Sequence, residues 1–149
     1  MRNKLLQKFE DLKQDNQVEI HNSKEAGKKV VGLYCTYAPQ ELVLAAGAIP
    51  VGLCGTNEKP IPAAEKDLPR NLCPMVKSSY GFAVSDTCPY FAASDLIIGE
   101  TTCDGKKKMF EIMNNIKPTH VMNLPQTPDT KSSLELWKEE LKRTKEVIE

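Results

Sequence analysis

The sequence predicts an α/β domain built on a doubly wound (Rossmann- or flavodoxin-like) parallel sheet of about four strands, preceded by an N-terminal helix. Short, apolar, β-branched segments recur along the chain, and segments with helical periodicity separate them. The predicted strands are apolar throughout, which is typical of strands that helices cover on both faces. The 149 residues suffice for one domain with a core of its own.

The first predicted element is a helix. Apolar residues recur at helical spacing between Leu5 and Leu12, which indicates an amphipathic helix over residues 3–16. We expect residues 1–28 to form an N-terminal helical segment ahead of an α/β domain at residues 29–149.

The strands and the remaining helices follow in alternation. Short apolar runs bounded by turn residues predict strands at residues 29–34, 49–54, 95–99 and 119–124. Helical periodicity predicts helices at residues 39–47, 74–84, 105–116 and 134–148. Residues 55–70, rich in proline and charge, are expected to form a surface loop or a short helical turn. The last helix has no stop residue, so we expect that it frays or that more protein follows it.

Composition limits the function classes. Twenty basic and twenty acidic side chains give a formal net charge of zero, which argues against nucleic-acid binding. No apolar run approaches the roughly 20 residues of a membrane span, and the charged first residues lack the apolar core of a signal peptide. We therefore expect a cytoplasmic protein without a nucleic-acid or membrane partner. In that reducing compartment, the five cysteines are expected to be thiols, metal ligands or core residues.

Two of the cysteines end predicted strands. Cys35 and Cys54 both lie in apolar company, and free cysteine is among the most buried residue types. The favoured interpretation is that both are small core residues, and the alternative is a peripheral role in a site.

The other three cysteines lie at the edges of predicted elements, fifteen residues apart. Cys73 and Cys88 each precede a proline, and Cys103 follows a strand and opens a helix. Iron–sulfur clusters need thiolates that converge from such positions, and a helix N-terminus favours a thiolate. A cluster held by these three cysteines is one hypothesis, and three unrelated thiols are equally compatible with the spacing.

Competing sites have less support. A zinc site is disfavoured because no CxxC or HxxxH pair occurs. His21 and His120 are isolated, so a Cys–His catalytic pair also lacks support, and His120 is expected to be a hydrogen-bonded core residue. No glycine-rich phosphate loop is present. The lysines at 106–108 oppose the dipole of the predicted helix start, and an anionic partner or cofactor nearby would explain them.

Several segments closely resemble the double-cubane cluster proteins, which belong to the larger family of 2-hydroxyacyl-CoA dehydratases and benzoyl-CoA reductases. The most specific are LPRNLCPMVKSSYGFA, DTCPYF and GETTCDGKKKMFE. The segments GLYCTYAPQELVLAAGAIPVGLCG and HVMNLPQ are similar to the family as well. The resemblance therefore extends over nearly the whole chain from Val30 onward.

The resemblance implies an iron–sulfur cofactor, either a 4Fe-4S cluster or a double-cubane 8Fe-9S centre. Cys73 and Cys103 correspond to cluster ligands used across the family, and Cys88 corresponds to the additional cysteine of the double-cubane branch. Residues 77–79 are expected to line the cluster or substrate cavity.

The resemblance also implies partners. Such proteins receive electrons from a separate ATP-hydrolysing iron–sulfur activator, which agrees with the missing phosphate loop. Relatives have two similar α/β domains with further cysteine ligands in the second. We therefore expect this chain to be the first half of a two-domain protein, its site completed by a second domain or subunit, and the assembly to be a dimer.

Three functions follow as hypotheses. The leading one is a low-potential, double-cubane-type reductase domain, which Cys88 favours. The alternative is a subunit of a radical 2-hydroxyacyl-CoA dehydratase, a lyase in which the same cluster passes one electron to a thioester carbonyl. The third is a non-catalytic α/β remnant or interaction module with reduced thiols.

Overall fold

A parallel sheet forms the centre of the molecule. The computed structural model describes residues 2–149, and their side chains from Lys4 onward. Within these residues the strands are β1 Val30–Tyr34, β2 Ile49–Leu53, β3 Leu96–Glu100 and β4 Thr119–Met122. They pair in parallel in the order β2-β1-β3-β4. The predicted fold class is confirmed, and each strand lies within two residues of its predicted bounds.

Helices precede, connect and follow these strands. They are α1 Arg2–Glu25, α2 Gln40–Ala45, α3 Ile61–Ala64, α4 Pro74–Val84, α5 Pro89–Ala93, α6 Asp104–Met113 and α7 Lys131–Ile148. The bounds of α4 agree with the prediction because Pro74 marks its first turn, where a missing N–H costs nothing. Helix α5 was not predicted, since five residues are too few to show helical periodicity.

The first face of the sheet is covered by α3, α4, α5 and α6. Tyr34 of β1 and Phe110 of α6 meet there with their ring centroids 5.6 Å apart, within a cluster of buried residues drawn from these helices. Gly99 makes this approach possible, because a Cβ at that position would lie 2.5 Å from the Phe110 ring. The absence of a side chain in β3 therefore lets α6 pack directly on the sheet.

The second face is covered by α2 and α7. Leu33 and Ile98 point to this side and pack with Val43 of α2 and Trp137 of α7. Both faces of β1 and β3 are thus buried under helices, which explains why these strands are apolar up to Glu100, the last residue of β3.

Helix α1 is longer than predicted, and only its second half contacts the rest of the domain. Lys24 lies 3.3 Å from Asp95, and Ile20 lines a groove against β2. The apolar residues nearer its start are exposed, with Leu5 at 60% and Phe9 at 63%. No helix among residues 2–149 is both long and apolar enough to cross a membrane.

Candidate functional site at the carboxyl edge of the sheet

The crevice beyond β1 and β3 is the place where this topology accepts a ligand. After β1 the chain moves to one side, to β2, and it later returns to the other side of β1 to form β3. In open α/β sheets, ligands bind outside the carboxyl ends of the strands at such a reversal. The residues that follow Tyr34 and Glu100 therefore define the candidate site.

Cys73 and Cys103 both lie immediately before the first residue of a helix. Each is exposed, and neither side chain makes a capping hydrogen bond to its helix. Their backbone carbonyls accept the first helical bonds, from Lys77 N–H and Lys107 N–H at 3.1 Å. The two thiols are therefore held by helical backbone while their sulfur atoms remain accessible.

The starts of α4 and α6 are neighbours. A Cβ placed on Gly105, in the first turn of α6, would lie 2.9 Å from Cδ1 of Leu72. Leu72 immediately precedes Cys73 and packs against the core of the first face. Glycine at position 105 thus lets the helix that follows Cys103 approach the segment that carries Cys73.

Cys88 is in a different environment. It is half-buried, packs against the core, and its sulfur accepts a hydrogen bond from Phe91 N–H at 3.5 Å as the N-cap of α5. Burial, and then the charges of Cys88 and Cys54, raise the pKa of the Tyr34 phenol. Cys88 has a capping role that Cys73 and Cys103 lack.

The prediction that Cys35 and Cys54 are core residues is wrong, because both are exposed. Tyr34 and Leu53, the last residues of paired strands, are buried, and the sheet ends there. Cys35 then takes a left-handed backbone conformation with φ of 70°, which is uncommon outside glycine. The turn carries the Cys35 thiol out of the core.

Lys106 connects the loop after β1 to the start of α6. Its ammonium contacts the sulfur of Cys35. Burial alone would lower the pKa of Lys106, but the hydrogen bond to Cys35 and negative charge on Cys35 and Cys103 raise it above its ordinary value. A cation of this kind beside two thiols stabilises negative charge in the crevice.

Glu100 fixes the same loop from β3. Its side chain is fully buried, and Oε1 accepts hydrogen bonds from the backbone N–H groups of Tyr37 at 2.6 Å and Ala38 at 2.7 Å. Burial raises the pKa of Glu100, against the lowering effect of these N–H groups and of Lys106. Oε2 is buried and has no hydrogen-bond partner in the described part of the chain. The sequence did not single out Glu100, since only the parallel pairing of β1 and β3 brings it to this loop.

Residues 77–79, which the leading hypothesis expected to line the cluster or substrate cavity, are buried and bonded to the protein itself. Lys77 Nζ lies 2.8 Å from Glu65 Oε1 and donates to the carbonyl of Arg70 at 2.7 Å. Ser78 Oγ donates to the carbonyl of Asn57, and Ser79 Oγ to that of Met75. These contacts hold the segments on either side of Cys73 in place.

The competing sites gain no support from the geometry. His120 Nε2 lies 3.0 Å from Thr144 Oγ1, so the expected hydrogen bond is present, although the residue is half-buried and not part of the core. His21 pairs with Glu25 on the exposed surface of α1. Among the described residues, no three His, Cys, Asp or Glu side chains are already arranged to hold a metal ion. Convergence of Cys73, Cys88 and Cys103 on one cluster remains a prediction.

These features define a class: an α/β domain with accessible thiols and a cation at the ligand-binding edge of a doubly wound sheet. The chain belongs to the family described as 2-hydroxyglutaryl-CoA dehydratase, D-component, whose model matches residues 35–149. The match covers the sheet from the end of β1 onward and includes all five cysteines.

Curated relatives agree with this family. The chain is 51% identical over 145 residues to a putative dehydratase subunit, YjiM, of Escherichia coli strain K12, covering 97% of this chain and 38% of that protein. It is 30% identical over 142 residues to the (R)-phenyllactyl-CoA dehydratase beta subunit of Clostridium sporogenes, covering 93% of this chain and 36% of the relative. Identity is 28% over 105 residues to the (R)-2-hydroxyglutaryl-CoA dehydratase beta subunit of Acidaminococcus fermentans, covering 70% of this chain and 27% of the relative. The chain thus spans less than two fifths of the length of these relatives.

The site is suited to part of an iron–sulfur cluster. Thiolates are the usual protein ligands of such clusters, and Cys73 and Cys103 present free thiols at neighbouring helix starts. The Gly105 position, where a larger residue would press on Leu72, keeps these starts close together. The donors therefore fit the group, and further ligands would complete it.

Proposed function

We propose that this chain is the cluster-holding α/β unit of a 2-hydroxyacyl-CoA dehydratase-type protein. The observation that carries the proposal is the pair of exposed thiols, Cys73 and Cys103, at the adjoining starts of α4 and α6. Family membership and the dehydratase names of the relatives support it.

In this proposal the chain's own residues bind and orient the cofactor. Cys73 and Cys103 supply thiolates, and the free N–H groups and positive ends of α4 and α6 favour negative charge beside them. When bound, an iron–sulfur cluster supplies a low-potential electron for transfer to a thioester carbonyl. Lys77 acts at a distance by holding the segment before Cys73 to α4.

Partners complete the proposed site. The relatives are much longer than this chain, so a second domain or subunit is proposed to provide the remaining ligands, with residues 29–149 as the first half of the pair. A separate ATP-hydrolysing activator is proposed as the electron donor, as the family resemblance implies, and the lack of a phosphate loop in this sequence agrees with it. A dimer is the proposed assembly.

A second candidate is the double-cubane-type reductase, which Cys88 favours. A double cubane needs more thiolates than a single cubane, and Cys88 is half-exposed near the core of the first face. As a cluster ligand, Cys88 could keep the hydrogen bond that its sulfur accepts from Phe91 N–H, because N–H donors to thiolate sulfur are common in iron–sulfur sites.

Anaerobic iron–sulfur reconstitution tests the proposal. We expect the wild-type chain to bind iron and sulfide with the visible absorbance and EPR signals of a cluster, and Cys73→Ala and Cys103→Ala to lose them. Cys54→Ala is the matched control, since Cys54 is equally exposed but follows the edge strand β2. A wild-type chain that folds and takes up no cluster would instead favour the non-catalytic interaction module.

A further inference from the structure

Cys35 lies directly after β1, at the edge of the sheet where this topology binds ligands. The crossing direction of the chain reverses between β1 and β3, and ligands bind beyond the strand ends at that reversal. Cys35 directly follows β1, and Cys103 lies between β3 and α6. The two thiols that flank the reversal are therefore Cys35 and Cys103.

Lys106 links these two thiols physically. Its ammonium contacts the Cys35 sulfur across 71 positions of sequence, and it is close enough to Cys103 for the charges of the two groups to interact. Hydrogen bonds from N–H donors to thiolate sulfur are a regular feature of iron–sulfur sites and help to set their potential. Lys106 is placed to make such a bond.

The backbone around Cys35 is fixed in the conformation that exposes the thiol. Cys35 has a φ of 70°, a conformation that costs energy for a residue with a side chain. The next residues are held by the Glu100 carboxylate, which accepts the N–H groups of Tyr37 and Ala38. The loop is thus anchored to β3, the strand that leads to Cys103.

A buried carboxylate oxygen without a hydrogen-bond partner in the described chain lies beside the same loop. Glu100 is completely buried, and its Oε2 has no hydrogen-bond partner within the described residues. Its charge interacts with that of Lys106. Buried polar atoms are nearly always satisfied, so Oε2 is an exception in this structure. Glu100 thus anchors the loop that follows Cys35 from inside the protein.

We propose that Cys35 is a further thiolate ligand of the cluster, beside Cys73 and Cys103, and that Lys106 donates a hydrogen bond to its sulfur. This inference rests on the proposed function. It adds a residue that the sequence favoured as core, and it gives the unusual lysine at the start of α6 a role.

Thiol footprinting of the unmutated chain provides the first test. The reconstituted and apo forms are alkylated anaerobically with iodoacetamide, and each cysteine is quantified by mass spectrometry. We expect cluster loading to protect Cys35 together with Cys73 and Cys103, while Cys54 reacts equally in both forms. Equal alkylation of Cys35 in the two forms would overturn the inference, and a wild-type chain that takes up no cluster would overturn the proposed function together with it.

Variants provide the second test. Cys35→Asn removes the thiol but tolerates the left-handed backbone, and Cys35→Ser is the isosteric partner. We expect both to hold iron about tenfold more weakly or worse, with the far-UV circular dichroism of the wild type and with Cys54→Ser unchanged. Wild-type iron affinity in both Cys35 variants, alongside loss in Cys73→Ala, would refute a ligand role for Cys35 and leave the proposed function intact.

The midpoint potential of the cluster tests the proposed role of Lys106. Lys106→Met should retain the cluster but shift its midpoint potential to a more negative value, because a positive charge and a hydrogen bond to sulfur are lost. Lys107→Met is the matched control, since Lys107 pairs with Asp104 on the exposed side of the helix. An unchanged potential in Lys106→Met would contradict the proposed hydrogen bond.

Discussion

The ammonium of Lys77 lies 2.8 Å from Oε1 of Glu65 and is buried, with 9% of its side chain exposed. A second bond, to the carbonyl of Arg70, ties the segment before Cys73 back onto α4. The hydrogen bond to Lys77 is the main cause that lowers the pKa of Glu65. The position of the Cys73 thiol therefore depends on a lysine one turn further along the same helix.

Replacing Lys77 should loosen this segment. Lys77→Met keeps the apolar stem but leaves the Arg70 carbonyl and Glu65 without their donor, and we expect the free energy of unfolding to fall by about 1–3 kcal/mol. Urea denaturation measures the change. Lys66→Met, at an exposed position in the same region, should change stability by less than about 0.5 kcal/mol. Equal effects of the two substitutions would contradict a positioning role for Lys77.

Ionisation of Glu100 should make the free energy of unfolding fall as pH rises. Because burial raises its pKa above the ordinary value of 4.5, the contribution of Glu100 to folding is fully present below that value and is lost as pH rises through the folded pKa. The stability advantage of wild type over Glu100→Gln should therefore shrink above pH 4.5. Denaturation of both proteins across this range tests the sign, and an advantage that grows with pH would be the opposite result.

Glu140 should show the reverse dependence. Burial would raise its pKa, but hydrogen bonds from Asn123 and the charge of Arg143 lower it below the ordinary value of 4.5. Its contribution is therefore present above pH 4.5 and is lost as pH falls through the folded pKa. The advantage of wild type over Glu140→Gln should decline on acidification in the same denaturation series. Parallel curves for the two proteins would show that these hydrogen bonds do not distinguish the charged from the neutral carboxyl group.

Gly81 should tolerate no side chain. A Cβ at this position would lie 2.2 Å from the carbonyl oxygen of Pro60, and backbone cannot move aside as a flexible side chain does. We expect Gly81→Ala to cost about 1–3 kcal/mol through overpacking between α3 and α4. Gly52→Ala is the control, because nothing lies within 4 Å of its added Cβ. A thermal melt of Gly81→Ala that coincides with the control would contradict the close approach.

The thiols should differ in reactivity before any cluster is bound. Cys35, Cys54, Cys73 and Cys103 are exposed, whereas Cys88 is half-buried and caps α5. In the anaerobic apo chain we expect four thiols to react rapidly with a disulfide reagent and Cys88 to react most slowly, because access governs exchange. Mass spectrometry after a short pulse identifies the sites. Rapid labelling of Cys88 would show that α5 opens readily.

Local signals made much of the fold predictable. The apolar, β-branched runs gave the four strands to within two residues, and Pro74 marked the start of α4. These features are encoded within a few neighbouring residues. Each strand or helix can therefore be predicted without knowing which other segments it contacts in the folded protein. Helix α5 was not predicted because its five residues are too few to carry a periodic pattern.

The candidate site was predictable only in part. Cys73 and Cys103 were recognised as edge positions, and the structure places both at exposed helix starts. Cys35 was assigned to the core because it follows an apolar run, yet the paired strands end one residue earlier, at Tyr34. Where a strand leaves its sheet depends on its neighbours, and a single segment does not contain that information.

By itself the sequence determined the alternation of strands and helices, and hence a parallel sheet with helices on both faces, because periodicity and turn residues act over short distances. Only the tertiary structure decided which distant groups meet at the sheet edge: Lys106 with Cys35, Glu100 with the loop before α2, and Lys77 with Glu65. The physical reason is the parallel register, which brings the carboxyl ends of strands far apart in sequence to one edge. There, burial and charge determine which side chains are available for chemistry.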